Sequence, residues 1–137
     1  MIGSLMMCVS VVVLLAGMLA GIVMGIQQNF LLGPAHAHLN LVGGVLLFLV
    51  GLYYRLFPAV GGTALARVQG WLHMVGGILF PAGIALVLGV SHAWEPVAIV
   101  GALIAMVAMV LFAGVVFRAE RKRVAAVTGQ IARVTAT

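Results

Sequence analysis

Four long apolar runs constrain this chain more than any other feature. They cover about 5–26, 37–57, 68–90 and 97–117. Each is long enough to cross a bilayer as a helix, which takes about 20 predominantly apolar residues. No acidic residue lies inside them, and their only basic or imidazole side chains are Arg55, His38 and His73. Over the whole chain 65% of the residues are hydrophobic and 7% are charged. An ordinary soluble domain is about 45–50% apolar and about 25% charged. A soluble domain of 137 residues has no interior large enough for this much apolar surface. A cytosolic enzyme, a nucleic-acid binder and a disordered chain are therefore excluded, and the expected solvent is lipid. The reading is an all-α, integral membrane four-helix bundle forming one domain over 1–137, with a basic tail from 118 to 137 and no room for a folded extramembrane domain.

The connections fit this reading. Residues 27–34, 58–66 and 91–96 are short links, so successive helices must run antiparallel. Pro34 and Pro96 sit at expected helix starts, where a missing N–H costs nothing. Pro81 falls inside the third run and is expected to kink it. The first run has no basic leader and exceeds the 7–15 apolar residues of a signal peptide, so it is read as a helix. All seven Lys and Arg, namely Arg55, Arg67, Arg118, Arg121, Lys122, Arg123 and Arg133, fall on one side of a four-helix hairpin. The positive-inside rule makes that side cytoplasmic, with both termini there and the protein in the plasma (inner) membrane. With only Glu95 and Glu120 opposing them, the net charge is +5. That excess suits anionic lipid headgroups. Cys8 is the only cysteine, so no intrachain disulfide is possible.

Small and soft residues carry weaker signals. Gly17, Gly21 and Gly25 form a four-residue stripe that lets another helix approach closely, within the protomer or between copies. Gly43-Gly44 and Gly76-Gly77 allow either close helix contact or a flat ligand. The eight Met read as bilayer-facing filler rather than metal ligands. The cluster at 118–123 reads as a headgroup anchor.

Ionisable groups within a membrane are costly and are functional candidates by default. Here they are almost all histidine. His36 and His38 open the second helix. Two residues apart, they point about 200° apart around its axis, so they cannot chelate one metal together. They suit a helix wedged between two sites, with one imidazole for each. Zinc needs about four converging N, S or O ligands, which this chain does not offer. Haem needs only one or two axial imidazoles and a flat, dry, apolar slot. A hydrogen-bonded structural pair is the alternative. His73 is placed about one turn into the third helix, roughly 20–25 Å from His36 in depth, and is read as structural. His92 lies on the same side as His36 and His38, as a rim group, a third ligand or a bystander.

The segment His36-Ala37-His38-Leu39-Asn40-Leu41-Val42-Gly43, running on to Tyr53-Tyr54-Arg55-Leu56-Phe57-Pro58, resembles the tenth helix of subunit I in the haem–copper oxidase superfamily, above all its nitric oxide reductase branch. There an H-x-H-L segment opens the helix, a Gly follows five residues after the second His, and a Tyr and a Pro close it. The resemblance implies that His36 binds one haem b and His38 another on the opposite face, through the haem iron. On this reading Asn40, Gly43 and Gly44 are cofactor contacts. Trp71-Leu72 is similar, more loosely, to the start of the next family helix. The family's copper-binding histidines and active-site acid have no counterpart here, and no outer Arg or Lys is present for haem propionates. Gln27, Gln28, Asn29 or His92 would serve instead. Subunit I has twelve helices in three arcs of four, so three copies of this chain would mimic one subunit, and a homotrimer is the favoured homo-oligomer.

The sequence thus points to a haem-binding membrane protein for electron transfer, haem handling or gas sensing, with a respiratory-chain partner. It assigns no catalytic residue. The competing expectations are a cofactor-free small subunit that scaffolds or assembles a respiratory complex, and a copper-handling protein.

Overall fold

The computed structural model describes residues 1–135, with side chains through Ile131. Among these residues the chain is helical throughout, without strands. Four helices are long and apolar enough to cross a membrane: α1 (Ile2–Gln27), α2 (Gly33–Leu56), α3 (Ala64–Gly89) and α4 (Glu95–Thr135). Two short helical turns, Pro58–Gly61 and His92–Trp94, join α2 to α3 and α3 to α4.

Local chemistry sets the ends. At the end of α1, Gln28 takes a left-handed conformation at φ 50°. Its amide and that of Asn29 then fold back onto the carbonyls of Gly25 and Met24. The Asn29 side chain accepts from the Leu31 amide at 3.1 Å, which turns the chain into α2. Pro34 lies in the first turn of α2, with its φ already suited to a helix. Thr63 caps α3 by accepting from the Ala66 amide at 3.2 Å.

Two expectations about the helices need correction. The second helix begins at Gly33, earlier than 37, because Pro34 starts it. The fourth does not stop near 117; its hydrogen bonding runs on through the basic tail to Thr135. Pro81 lies inside α3, which stays α-helical from Ala64 to Gly89. Proline lacks the N–H that would bond the carbonyl four residues back. That carbonyl belongs to Gly77, and it faces α2: a Cβ on Gly43 would lie 2.5 Å from the Gly77 oxygen. The group released by Pro81 is thus turned onto a helix whose backbone passes at glycine distance.

Close approach between small residues defines the packing. Gly3 meets Gly51, Gly17 meets Asn40 and Gly21 meets His36, so α1 and α2 run antiparallel. Gly43 meets Gly77 between α2 and α3, and Gly76, Gly83 and Gly101 bring α3 onto α4 at Ala105, Ala98 and Phe80. Lipid gives no hydrophobic drive to helix association, so such backbone contact is what holds apolar helices together. Arg55, Arg67 and the basic residues of 118–123 lie at one end of this up-and-down arrangement, where Arg55 donates to the Ser4 hydroxyl at 2.8 Å. At that basic end all four helices share a core of Ile2, Met6, Leu47, Tyr54, Met74 and Val115. Met6 and Met74 are therefore core residues, not lipid-facing filler.

Within α2, Leu39–Leu46 is wound as a π-helix. The widened turn contains Gly43-Gly44, whose missing side chains leave room for α1 and α3. Such π segments are rare and collect at functional sites.

Candidate functional site

The four helices do not close equally at both ends. Toward the end opposite the cations, α1 and α3 part. Between them lies a cavity of about 450 Å³. Its walls come from Ala20, Met24, Leu39, Ile78 and Ala82, and the only imidazole on it is His36. Gln27 and Asn29 bring polar groups to its edge, placed there by the left-handed turn at Gln28. Small-molecule sites have this character: mostly apolar walls, a few convergent polar groups, and volumes of about 300–1,000 Å³.

His36 is half-buried and lies against Gly21 of α1. A Cβ at residue 21 would come within 2.9 Å of its Cε1, so Gly21 is what admits the ring. Behind it stands Asn40, one helical turn along α2. The Asn40 amide donates to the His36 carbonyl at 2.9 Å and lies 3.3 and 3.4 Å from the two ring nitrogens. A ring nitrogen that accepts from Asn40 leaves the other as N–H, so an iron-binding lone pair at His36 requires that this contact be given up. The space that Asn40 needs is supplied by Gly17, where a Cβ would collide with its side chain. Two members of the glycine stripe therefore work within the protomer, as seats for Asn40 and His36. Gly25 meets nothing within 4 Å.

His38 turns away from that cavity. Its ring packs edge-on against Phe80 of α3, with centroids 4.7 Å apart. Its Nδ1–H donates to the Pro34 carbonyl at 2.7 Å. This short bond fixes the tautomer and leaves Nε2 as a lone-pair donor, the arrangement metal-bound histidines use. The two imidazoles thus have different neighbours and different preparation, on opposite sides of one short α-helical segment.

The remaining site residues fall elsewhere. Gly43 and Gly44 do not line the cavity; Gly77, Val13 and Leu14 fill the space beside them. The flat-ligand expectation for Gly43 and Gly44 gives way to helix packing, since no room remains at either position. Asn40 supports His36 from behind rather than facing the cavity. His92 lies outside, paired with Glu95 at 2.9 Å, and its side chain is 85% exposed. Among the described residues no group of three or more His, Cys, Asp or Glu comes together that could hold a metal ion.

His73 departs most from its expected placement. Because α3 begins at Ala64, it lies more than two turns into the helix. It is fully buried, and its Nε2 lies 3.3 Å from the Val42 carbonyl in the π segment. Val42 is six residues below His36, about 9 Å along a helix axis, so the expected separation of 20–25 Å was too large. The start of α3 at Ala64 rather than near 68 carries His73 farther from the basic end. Gln69, also fully buried, places its amide 3.4 Å from His73 Nδ1 and donates to the Ala108 carbonyl at 3.3 Å. The pair ties α2, α3 and α4 together. Its structural reading agrees with full burial and backbone partners on neighbouring helices.

The sequence reading missed the cavity and the role of Met24 and Ile78 in its walls. The spacing of Ala20, Met24 and Gln27 on one face of α1 was a visible signal, but a uniformly apolar helix does not show which face meets a void. Comparison with protein-family models, with curated proteins and with solved structures returns no match for this chain.

Proposed function

We propose that this chain is a haem b-binding integral membrane protein, built like one arc of haem–copper oxidase subunit I, and used for electron transfer, haem handling or gas sensing. One observation carries the reading: two half-buried imidazoles at one level of α2, His36 on an apolar cavity and His38 with Nε2 free behind an anchored Nδ1–H. The donor set fits haem, which needs one or two axial nitrogens and apolar walls. It does not fit a small hard cation, for which no carboxylate stands nearby. Bound haem would supply one-electron exchange or an open position for a diatomic gas.

The protein's part is positioning. The Pro34 carbonyl holds the His38 ring in the tautomer that leaves Nε2 as a lone pair. Asn40 holds the His36 ring in its groove against Gly21. The cavity walls are mostly apolar, and Gln27 and Asn29 offer amides to anionic substituents at its edge. Only one imidazole lines the cavity. A second axial nitrogen would come from a further copy, with His36 of one protomer and His38 of its neighbour facing one slot, three times around a closed ring.

The proposed placement is the plasma membrane, with the basic end cytoplasmic. The deciding measurement is an absorbance spectrum of the detergent-purified protein. A Soret band with sharp reduced α and β bands is expected. A colourless protein would favour the cofactor-free scaffold, and copper without haem would favour copper handling.

A further inference from the structure

The tail of α4 is left unexplained by the arc and its site. The helix continues beyond Phe117 without interruption to Thr135, about 27 Å at 1.5 Å per residue. It carries exposed apolar side chains at Phe117, Val124, Val127 and Ile131, which are 67%, 63%, 52% and 59% exposed. With Val124 at heptad position a, Val127 falls at d and Ile131 at the next a; the sequence puts Val134 at the following d. A helix of this composition is poorly stable alone, since Val, Ile, Thr and Gly are weak helix formers. A headgroup anchor accounts for Arg118, Arg121, Lys122 and Arg123, but not for a β-branched stripe at a and d farther along.

We propose that residues 118–135 form a parallel three-stranded coiled coil with the same segment of two further copies, and that this coil holds the trimer together. Copies inserted in one orientation send their tails out of the same membrane face, so the strands are parallel. β-Branched residues at both a and d favour three or four strands over two. Position g holds Arg123 and Gln130, and position e holds Arg121 and Thr128. Arg123 of one strand thus meets Thr128 of the next, and no like-charged g–e pair arises over the stripe. Glu120, in the preceding d place, sits where Arg121 of a neighbour can offset it. The inference rests on the membrane orientation proposed above and stands whether or not haem binds.

The test uses the full-length chain with Cys8→Ser. Single cysteines are introduced as Val127→Cys at d or Lys122→Cys at the outward f position, followed by mild oxidation. The first should give a covalent dimer band several-fold stronger than the second. Native mass spectrometry should find three chains in the parent protein and lose that mass in the Val124→Glu/Val127→Glu variant. Equal cross-linking at both positions, any parent mass other than three chains, or a trimer that survives the double substitution would overturn the proposal. Haem absorbance is read separately. Its absence from an intact trimer counts against the haem reading and leaves the coiled coil standing.

Discussion

The two halves of α2 are built from the same kind of apolar sequence yet do opposite things. Toward the basic end, Leu47, Val50 and Tyr54 are at most 1% exposed and are enclosed by all four helices. Toward the other end, His36, His38 and Asn40 are half-buried, and His36 lines a cavity. Polar groups occur in both halves. Packed on the closed half, Gln69 and His73 of α3 give N–H bonds to backbone carbonyls of neighbouring helices, while Gln69 Oε1 and the Tyr54 hydroxyl stay buried without a partner. In the open half His38 keeps Nε2 as a lone pair, while both ring nitrogens of His36 lie within reach of the Asn40 amide. Packing density, rather than the presence of an ionisable residue, separates a fastener from a ligand here.

The largest expected effect breaks the comparison at its open end. Replacing His38 with Ala, and separately His36 with Ala, should abolish or rearrange the Soret and α/β absorbance, while His73→Leu leaves it nearly intact. A His73 variant that loses the spectrum while both α2 variants keep it would reverse the assignment of the two halves.

A strong stability effect is expected where backbones touch. Gly43→Val places side-chain carbon against the Gly77 carbonyl and should destabilise the fold by about 1–3 kcal/mol, the usual range for overpacking. Thermal unfolding in detergent reads it as a lowered midpoint.

The fastener itself is worth less. His73→Leu removes an interhelical hydrogen bond, and such bonds within membranes average about 0.6 and reach about 1.7 kcal/mol. A loss much beyond that range, measured by unfolding in mixed micelles, would mean that the closed half does more than pack.

The smallest effect sharpens the comparison within a single stripe. Gly21→Leu should displace His36, and with it the haem spectrum. Gly25→Leu, with nothing within 4 Å, should leave spectrum and stability unchanged. Equal damage at both positions would show that the stripe serves contacts outside the protomer.

Much of this was legible in the chain. The number of long apolar helices, their antiparallel order and the placement of the described cations at one end follow from run length, short links and charge placement, which are local properties. The opposite facing of His36 and His38 follows from helical geometry alone. Other features depended on which surfaces meet. The sequence could not distinguish glycines that seat a neighbour, such as Gly17, Gly21 and Gly43, from Gly25, which seats nothing. It gave no sign that α1 and α3 part to leave a cavity, or that His73 reaches the π segment of α2. Apolar helices in lipid look alike from inside one sequence. Only tertiary structure decides which faces touch, because close backbone contact, not hydrophobicity, selects between them.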